Sequence, residues 1–264
     1  MHNFEYHRPS SLDEVAKLLS DSEEAKIVAG GMTLIPTMKQ RLAAPSAVID
    51  LGGISELKGV SEDGGNVVVG AMTTHGEVAG DSTVQSKIPA LAEAAKHIGD
   101  AQVRNRGTIG GSIANNDPAA DYPAVLVGLG ASVKTNKREI AADDFFVDMF
   151  ETALEDDEIV VSVSFPVPEK AGYAKFENPA SRYAIVGVMV SQGPQGTRVA
   201  VTGAGPCAFR VKEMEQALDG NFSADALDGI SVPADDLNSD IHASAEYRAH
   251  LVGVMAKRAV RAAS

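Results

Sequence analysis

Two stretches of this sequence set paired glycines beside hydroxyl side chains. The first is Val28-Ala29-Gly30-Gly31-Met32-Thr33-Leu34; the second runs from Arg106-Gly107-Thr108-Ile109-Gly110-Gly111-Ser112 through Ile113-Ala114-Asn115-Asn116-Asp117-Pro118. Glycine has no Cβ, so it reaches φ > 0 and lets a ligand come close to the main chain. Successive amides can then point into one concavity, a nest suited to phosphate oxygens. Thr33, Thr108 and Ser112 add hydroxyl donors. Two such segments facing one pyrophosphate would supply many donors without net positive charge. One glycine pair alone is more often a tight turn. Two hydroxyl-flanked pairs, one opening a helix, leave ligand holding and plain turn chemistry both open. Neither is G-x-G-x-x-G, and G-x-x-x-x-G-K-[ST] is missing, so neither a Rossmann site nor nucleotide hydrolysis is signalled.

The flanking elements form a small α/β unit. Ser11-Leu12-Asp13-Glu14 has the S-x-x-E form of a capping box, and Leu12, Val15, Ala16, Leu18 and Leu19 recur at helical spacing. A strand over 26–29 stops at the first glycine pair, a helix covers 33–40, and a second strand covers 47–50. The turn at 63–66 precedes a strand at 67–69. Helices follow around 76–78 and 89–97. Residues 99–123, dense in Gly, Asn, Asp and Pro, read as a surface or ligand-holding loop. Strands then cover 131–135, 158–165, 183–191 and 197–202, with prolines at 166 and 168 marking a boundary. Helices cover 211–218 and 244–261, the last with Tyr247, Leu251, Val254 and Met255 on one side.

The net charge of −13 argues against nucleic acid and anionic membranes as partners. An anionic ligand must therefore be held by local backbone geometry. The longest uncharged apolar stretch, 124–133, is far short of the ~18–20 residues of a membrane span. Residues 1–10 have no signal-peptide core. These features predict a soluble, cytoplasmic protein. The one cysteine, Cys207, reads as a small apolar residue and cannot hold an iron–sulfur cluster.

Other candidates have plainer readings. His75 at a helix start reads as a surface or capping residue. Asp117, Asp121, Asp143 and Asp144 fit no closed metal-ligand set, and Asp117 before Pro118 reads as turn chemistry. Arg182-Tyr183 suits either a ligand contact or an ion pair. Glu155-Asp156-Asp157-Glu158 reads as a solvated charge run. No Ser–His–Asp set, Cys–His pair or H-E-x-x-H appears.

Ala29-Gly30-Gly31-Met32-Thr33-Leu34-Ile35-Pro36 with Lys39, and Thr108-Ile109-Gly110-Gly111-Ser112 with Ala114-Asn115 and Asp117-Pro118, resemble the FAD-binding medium subunit of molybdenum hydroxylases. This is the group of aerobic carbon monoxide dehydrogenases and xanthine dehydrogenases. Phe4-Glu5-Tyr6-His7-Arg8-Pro9, Gly70-Ala71-Met72-Thr73-Thr74-His75, Ala180-Ser181-Arg182-Tyr183-Ala184 and Ala245-Glu246-Tyr247-Arg248 extend the likeness along nearly the whole chain. The resemblance implies an α+β protein: a two-lobed FAD-binding domain of the vanillyl-alcohol oxidase type over 1–168, and a small α+β domain of the CO dehydrogenase flavoprotein type over 169–264. It implies that Val28, Ala29, Gly30, Gly31, Met32 and Thr33, with Thr108, Ile109, Gly110, Gly111 and Ser112, wrap the FAD pyrophosphate and ribityl. Asp121 would accept hydrogen bonds from the cofactor, Asn115 would make a polar contact, and Ile98, Val160 and Lys175 would lie near the flavin. Met32 stands where the family often has His or Gln, which removes a side-chain contact but not the backbone nest. The cysteine-bearing insertion of relatives that reduce aromatic thioesters is missing.

The partners so implied are a large molybdenum–pterin subunit and a small subunit with two [2Fe–2S] clusters. Electrons would pass from molybdenum through the clusters to FAD and on to NAD, a quinone, another carrier or oxygen. Two other readings stay open on the residues alone: a stand-alone FAD oxidase or reductase, and a non-catalytic binding module with structural glycine loops.

Overall fold

The computed structural model describes residues 1–22 and 24–263. Ser11 caps the first helix as expected, its side chain accepting the Glu14 amide at 3.3 Å. The Glu14 carboxylate reaches back to the Ser10 amide at 2.7 Å, one residue beyond the usual box. The helix Leu12–Ser20 links Glu5–His7 to Lys26–Val28, and both strands pair in parallel with Ala47–Asp50 between them. Val15, Ile49, Leu51, Ile54 and Leu57 form the core of this first lobe.

The second lobe is a five-stranded antiparallel sheet, ordered Val60–Asp63, Asn66–Gly70, Val160–Pro166, Ser132–Thr135, Glu139–Ala141. In Asn66–Gly70 the period of two sends Val67 and Val69 into the core. The apolar run near 124–133 becomes the helix Asp121–Leu129, in which every residue is buried. A helix with no exposed face needs partners all round. One of them is the third layer, a four-stranded antiparallel sheet ordered Lys170–Glu177, Ala184–Gly193, Gly196–Thr202, Phe209–Arg210. Gly128 leaves room for Met189, since a Cβ there would lie 2.6 Å from its Cγ. Ser191 Oγ donates to Gly128 O at 2.6 Å and Arg198 Nε to Val127 O at 2.7 Å.

That sheet is covered on both faces. Val186, Val188 and Val190 pack in the core under the helix Ala245–Ala262, whereas Met189 and Ala200 join the core of the second lobe. Double burial explains the continuous apolar run of Ala184–Gly193.

Three expectations are corrected. The 99–123 stretch is not one loop: Ala101–Arg104 and Ile109–Asn115 are helices and Asp121 begins a third. Short capped helices crowded with glycine carry little apolar periodicity, so composition alone reads them as coil. The strand Lys170–Glu177 follows directly after the prolines at 166 and 168 and was not anticipated. On the helix Ala245–Ala262 the buried side carries Arg248, Leu251, Val252, Met255, Ala256 and Ala259, while Tyr247 is 44% exposed. Arg248 is buried because its guanidinium donates to Ile185 O (2.6 Å), Gly203 O (2.8 Å) and Asp240 (2.7 Å). Among the described residues no helix is long and apolar enough to cross a membrane.

Candidate functional site

The two glycine segments meet. A Cβ on Gly30 would lie 2.0 Å from Arg106 O and 2.8 Å from Gly107 Cα, so only glycine lets the two backbones touch. Gly31 holds φ +74°, the left-handed region that glycine enters without strain. Gly110, inside the helix Ile109–Asn115, rests on the end of strand Asn66–Gly70: its amide bonds Ala71 O at 2.9 Å, and a Cβ would stand 2.7 Å from that oxygen. The contacts enclose a cavity of about 580 Å³, within the ordinary range for ligand pockets.

The amide supply is lopsided. Among the described residues, the amides of Gly30, Gly31, Met32 and Thr33 meet no acceptor in the protein. In the second segment most amides are already used. Gly107 bonds Val103 O at 2.7 Å, Ile109 bonds Thr73 O at 3.1 Å, and Ser112 bonds Thr108 O at 3.0 Å. Gly111 donates to Thr108 Oγ1 at 3.1 Å. The first segment thus has main-chain donors to offer, and the second forms the wall it stands against.

Val28, Ala29, Gly30, Gly31, Met32, Thr33, Ile98, Thr108, Gly110, Gly111, Ser112, Asn115, Asp121 and Val160 all line the cavity. Two expected residues do not. The Ile109 side chain is fully buried in the core of the second lobe. Lys175 stands behind Asp121, its Nζ 3.0 Å from the carboxylate and 3.1 Å from His97 O. Tyr173 Oη donates to the other Asp121 oxygen at 2.5 Å, and Gly187 makes room for that hydroxyl. Both carboxylate oxygens therefore have partners within the protein. Burial raises the Asp121 carboxyl, opposed by the Lys175 ammonium and the Tyr173 hydroxyl. Asp117 lines the cavity as turn chemistry predicts, with Oδ1 accepting the Ala119 amide at 2.9 Å.

Glu158 and His75 also line the cavity. Glu158 is not a solvated charge: it is 4% exposed and accepts from Arg138 Nε and Nη2 (2.9 Å each), Thr135 Oγ1 (2.7 Å) and the Glu155 amide (3.0 Å). The Arg138 guanidinium holds its carboxyl down to about 2. His75 is likewise buried, and burial with the nearby Arg104 charge lowers its imidazole to about 4, so it is neutral at pH 7. Ser181, Arg182 and Tyr183 add a wall from the third layer. Asp143, weighed as a metal ligand, is paired with Arg198 at 2.6 Å. No spacing rule marks Glu158 or His75, because their burial is set by distant segments.

A roomy cavity whose polar provision is a glycine segment of open amides suits a diphosphate without basic side chains, and its apolar walls at Ile27, Leu51, Met72 and Ile159 suit flat rings. These residues fit FAD, so the fold and site define a flavoprotein. Residues 2–168 match the FAD binding domain in molybdopterin dehydrogenase, and residues 171–263 match the CO dehydrogenase flavoprotein C-terminal domain. The carbon monoxide dehydrogenase medium chain of Hydrogenophaga pseudoflava is 38% identical over 98% of this chain and 96% of its own length. The nicotine 6-hydroxylase medium subunit of Paenarthrobacter nicotinovorans is 38% identical over 97% and 95%. A solved structure of carbon monoxide dehydrogenase from H. pseudoflava superposes with a TM-score of 0.89, at 38% identity, over 98% of this chain and 96% of the other. The chain belongs to the FAD-binding medium subunits of the molybdenum hydroxylases, and so is a subunit of an oxidoreductase.

Proposed function

We propose that this chain receives electrons from [2Fe–2S] clusters on a small partner subunit, fed by a large molybdenum–pterin subunit, and hands them to an external acceptor such as NAD, a quinone or oxygen. The observation that supports a relay is the state of the cavity's carboxylates. Of the three carboxylates that line it, Asp121 is engaged by Lys175 and Tyr173 and Glu158 by Arg138 and Thr135, which leaves only Asp117, with one oxygen on the Ala119 amide, less than fully engaged. The single Cys207 agrees, because a cluster needs several thiolates.

FAD, when bound, supplies the capacity to accept and release electrons. The protein supplies binding and orientation. The amides of Gly30, Gly31, Met32 and Thr33 are assigned to the pyrophosphate, with the Thr108, Gly110, Gly111 and Ser112 wall opposite. Val28, Ala29, Ile98 and Val160 form apolar walls, and Asn115 supplies a polar contact. Asp121 is a fixed acceptor oriented by Lys175. Ile109 acts through packing, holding the glycine helix against the core. The boundary between the two domains is placed at 168–169, with the helix Asp121–Leu129 gripped by both, and the protein is placed in the cytoplasm.

Co-purification from the native host, with absorbance spectra and metal analysis, tests this. Flavin, iron and molybdenum with two further polypeptides is the expected result, and the isolated chain should bind FAD yet oxidise no organic substrate. Substrate turnover by the isolated yellow chain would overturn the relay reading.

A further inference from the structure

Among the described residues, four buried side chains hold a polar atom with no partner: His75, Asn116, Tyr122 and Arg248. Of these only His75 lines the cavity. It is 4% exposed and begins the helix His75–Gly80. Its main chain is fixed from two sides. Thr74 and Glu77 form a reciprocal capping box, and the His75 amide donates to Gly107 O at 2.9 Å. The ring therefore has a set place, packed against Tyr122 with centroids 5.3 Å apart.

The two ring nitrogens differ. Nδ1 is sealed in the interior without a partner. Nε2 also bonds nothing in the protein but is not sealed, and it abuts Gly107, itself a lining residue. A Cβ on Gly107 would stand 2.5 Å from Nε2 and 2.8 Å from Cδ2. A neutral imidazole carries one N–H. With Nδ1 walled in, a proton on Nε2 is the one that can find an acceptor, and the ring and the Gly107 beside Nε2 both line the cavity.

We propose that His75, as its neutral Nε2–H form, donates a hydrogen bond to bound FAD, and that Gly107 is glycine to keep that edge of the ring open. The inference rests on the FAD reading of the cavity. The acceptor is an oxygen or nitrogen of the cofactor, on its diphosphate, its ribityl chain or its ring.

The test is FAD and ADP affinity of the full chain, with the flavin midpoint potential, in wild type, His75→Ala, His75→Gln, Gly107→Ala and the double variant His75→Ala/Gly107→Ala. Loss of one hydrogen bond is expected to weaken FAD about tenfold in His75→Ala. Gly107→Ala should do the same by pushing the ring aside. The double variant should be no weaker than either single one, because the new methyl then has no ring to displace and keeps only its contact with Val103 O at 3.1 Å. His75→Gln, which keeps a donor, should restore most of the affinity. A parallel loss of ADP affinity places the acceptor on the diphosphate, and a shifted potential with unchanged ADP affinity places it on the ring or ribityl. Unchanged FAD affinity in His75→Ala with only a lower Tm would overturn the proposal, as would losses that multiply to about a hundredfold in the double variant. A wild-type chain that takes up no FAD would overturn the cofactor reading itself.

Discussion

Replacing His75 by Gln removes a proton-binding group that the fold holds neutral, and this should change how stability depends on pH. In the folded chain, burial and then Arg104 lower the imidazole from its ordinary 6.5 to about 4. Below pH 6.5 the unfolded chain takes up a proton that the folded chain refuses. The unfolded state then binds more protons, so stability falls as pH falls. The loss begins near pH 6.5 and is complete below pH 4. Between those limits each unit is worth about 1.4 kcal/mol, which comes to about 2 kcal/mol at pH 5 and about 3 kcal/mol at pH 4. Urea unfolding of the cofactor-free full chain at pH 7, 6, 5 and 4.5, for wild type and His75→Gln side by side, reads this difference. Other groups, including the Asp117 and Asp121 carboxyls that burial raises, titrate in both proteins and cancel. Wild type should lose about 2 kcal/mol more than the variant between pH 7 and pH 5. Parallel profiles would show that the imidazole protonates as freely in the fold as in solvent, and would refute the argument.

Gly110→Ala places a methyl 2.6 Å from Ala71 Cβ and 2.7 Å from Ala71 O, so it should destabilise by about 1–3 kcal/mol, read as a lower Tm; an unchanged Tm would mean the helix can shift at no cost. Arg138→Met removes the cation that lowers the Glu158 carboxyl, whose contribution is present above its unfolded value and is lost as pH falls toward about 2. The acid-unfolding midpoint should therefore move to higher pH, and an unmoved midpoint would argue against the pair. Asn116, at φ 42°, donates from Nδ2 to Asp148 O and Glu151 O at 2.8 Å each, so Asn116→Ala should lose about 3 kcal/mol in urea unfolding. A loss below ~1 kcal/mol would show that the hairpin Phe146–Asp148/Glu151–Thr152 holds without it.

Much of the architecture was legible where a local rule applies. Ser11 caps the helix it precedes, because N-capping needs only an oxygen three residues before an amide. The valine run at 67–69 marked a strand because β-branched residues directly after a turn signal need no knowledge of neighbours. The helical segments between 99 and 123 were not legible, being short and glycine-rich. Neither was the strand Lys170–Glu177, which follows a proline boundary and pairs with Ala184–Gly193. The charge run at 155–158 misled because three of its four residues face solvent or partners at the surface, while Glu158 turns inward to Arg138, twenty residues away.

By itself the sequence pointed to main-chain amides rather than positive charge for holding any anion, supplied too few thiols for an iron–sulfur cluster, and carried one family's motifs in order. Those are properties of composition and of short linear patterns. The tertiary structure alone decided that the amides at 30–33 stay open while those at 107–112 are mostly spent inside the fold, that His75 is buried and neutral, and that Asp121 already has Tyr173 and Lys175 as partners. Each of these is a property of a pair. The Lys175–Asp121 contact joins positions 54 residues apart, and whether a donor is free or a charge is buried depends on what the rest of the chain brings beside it.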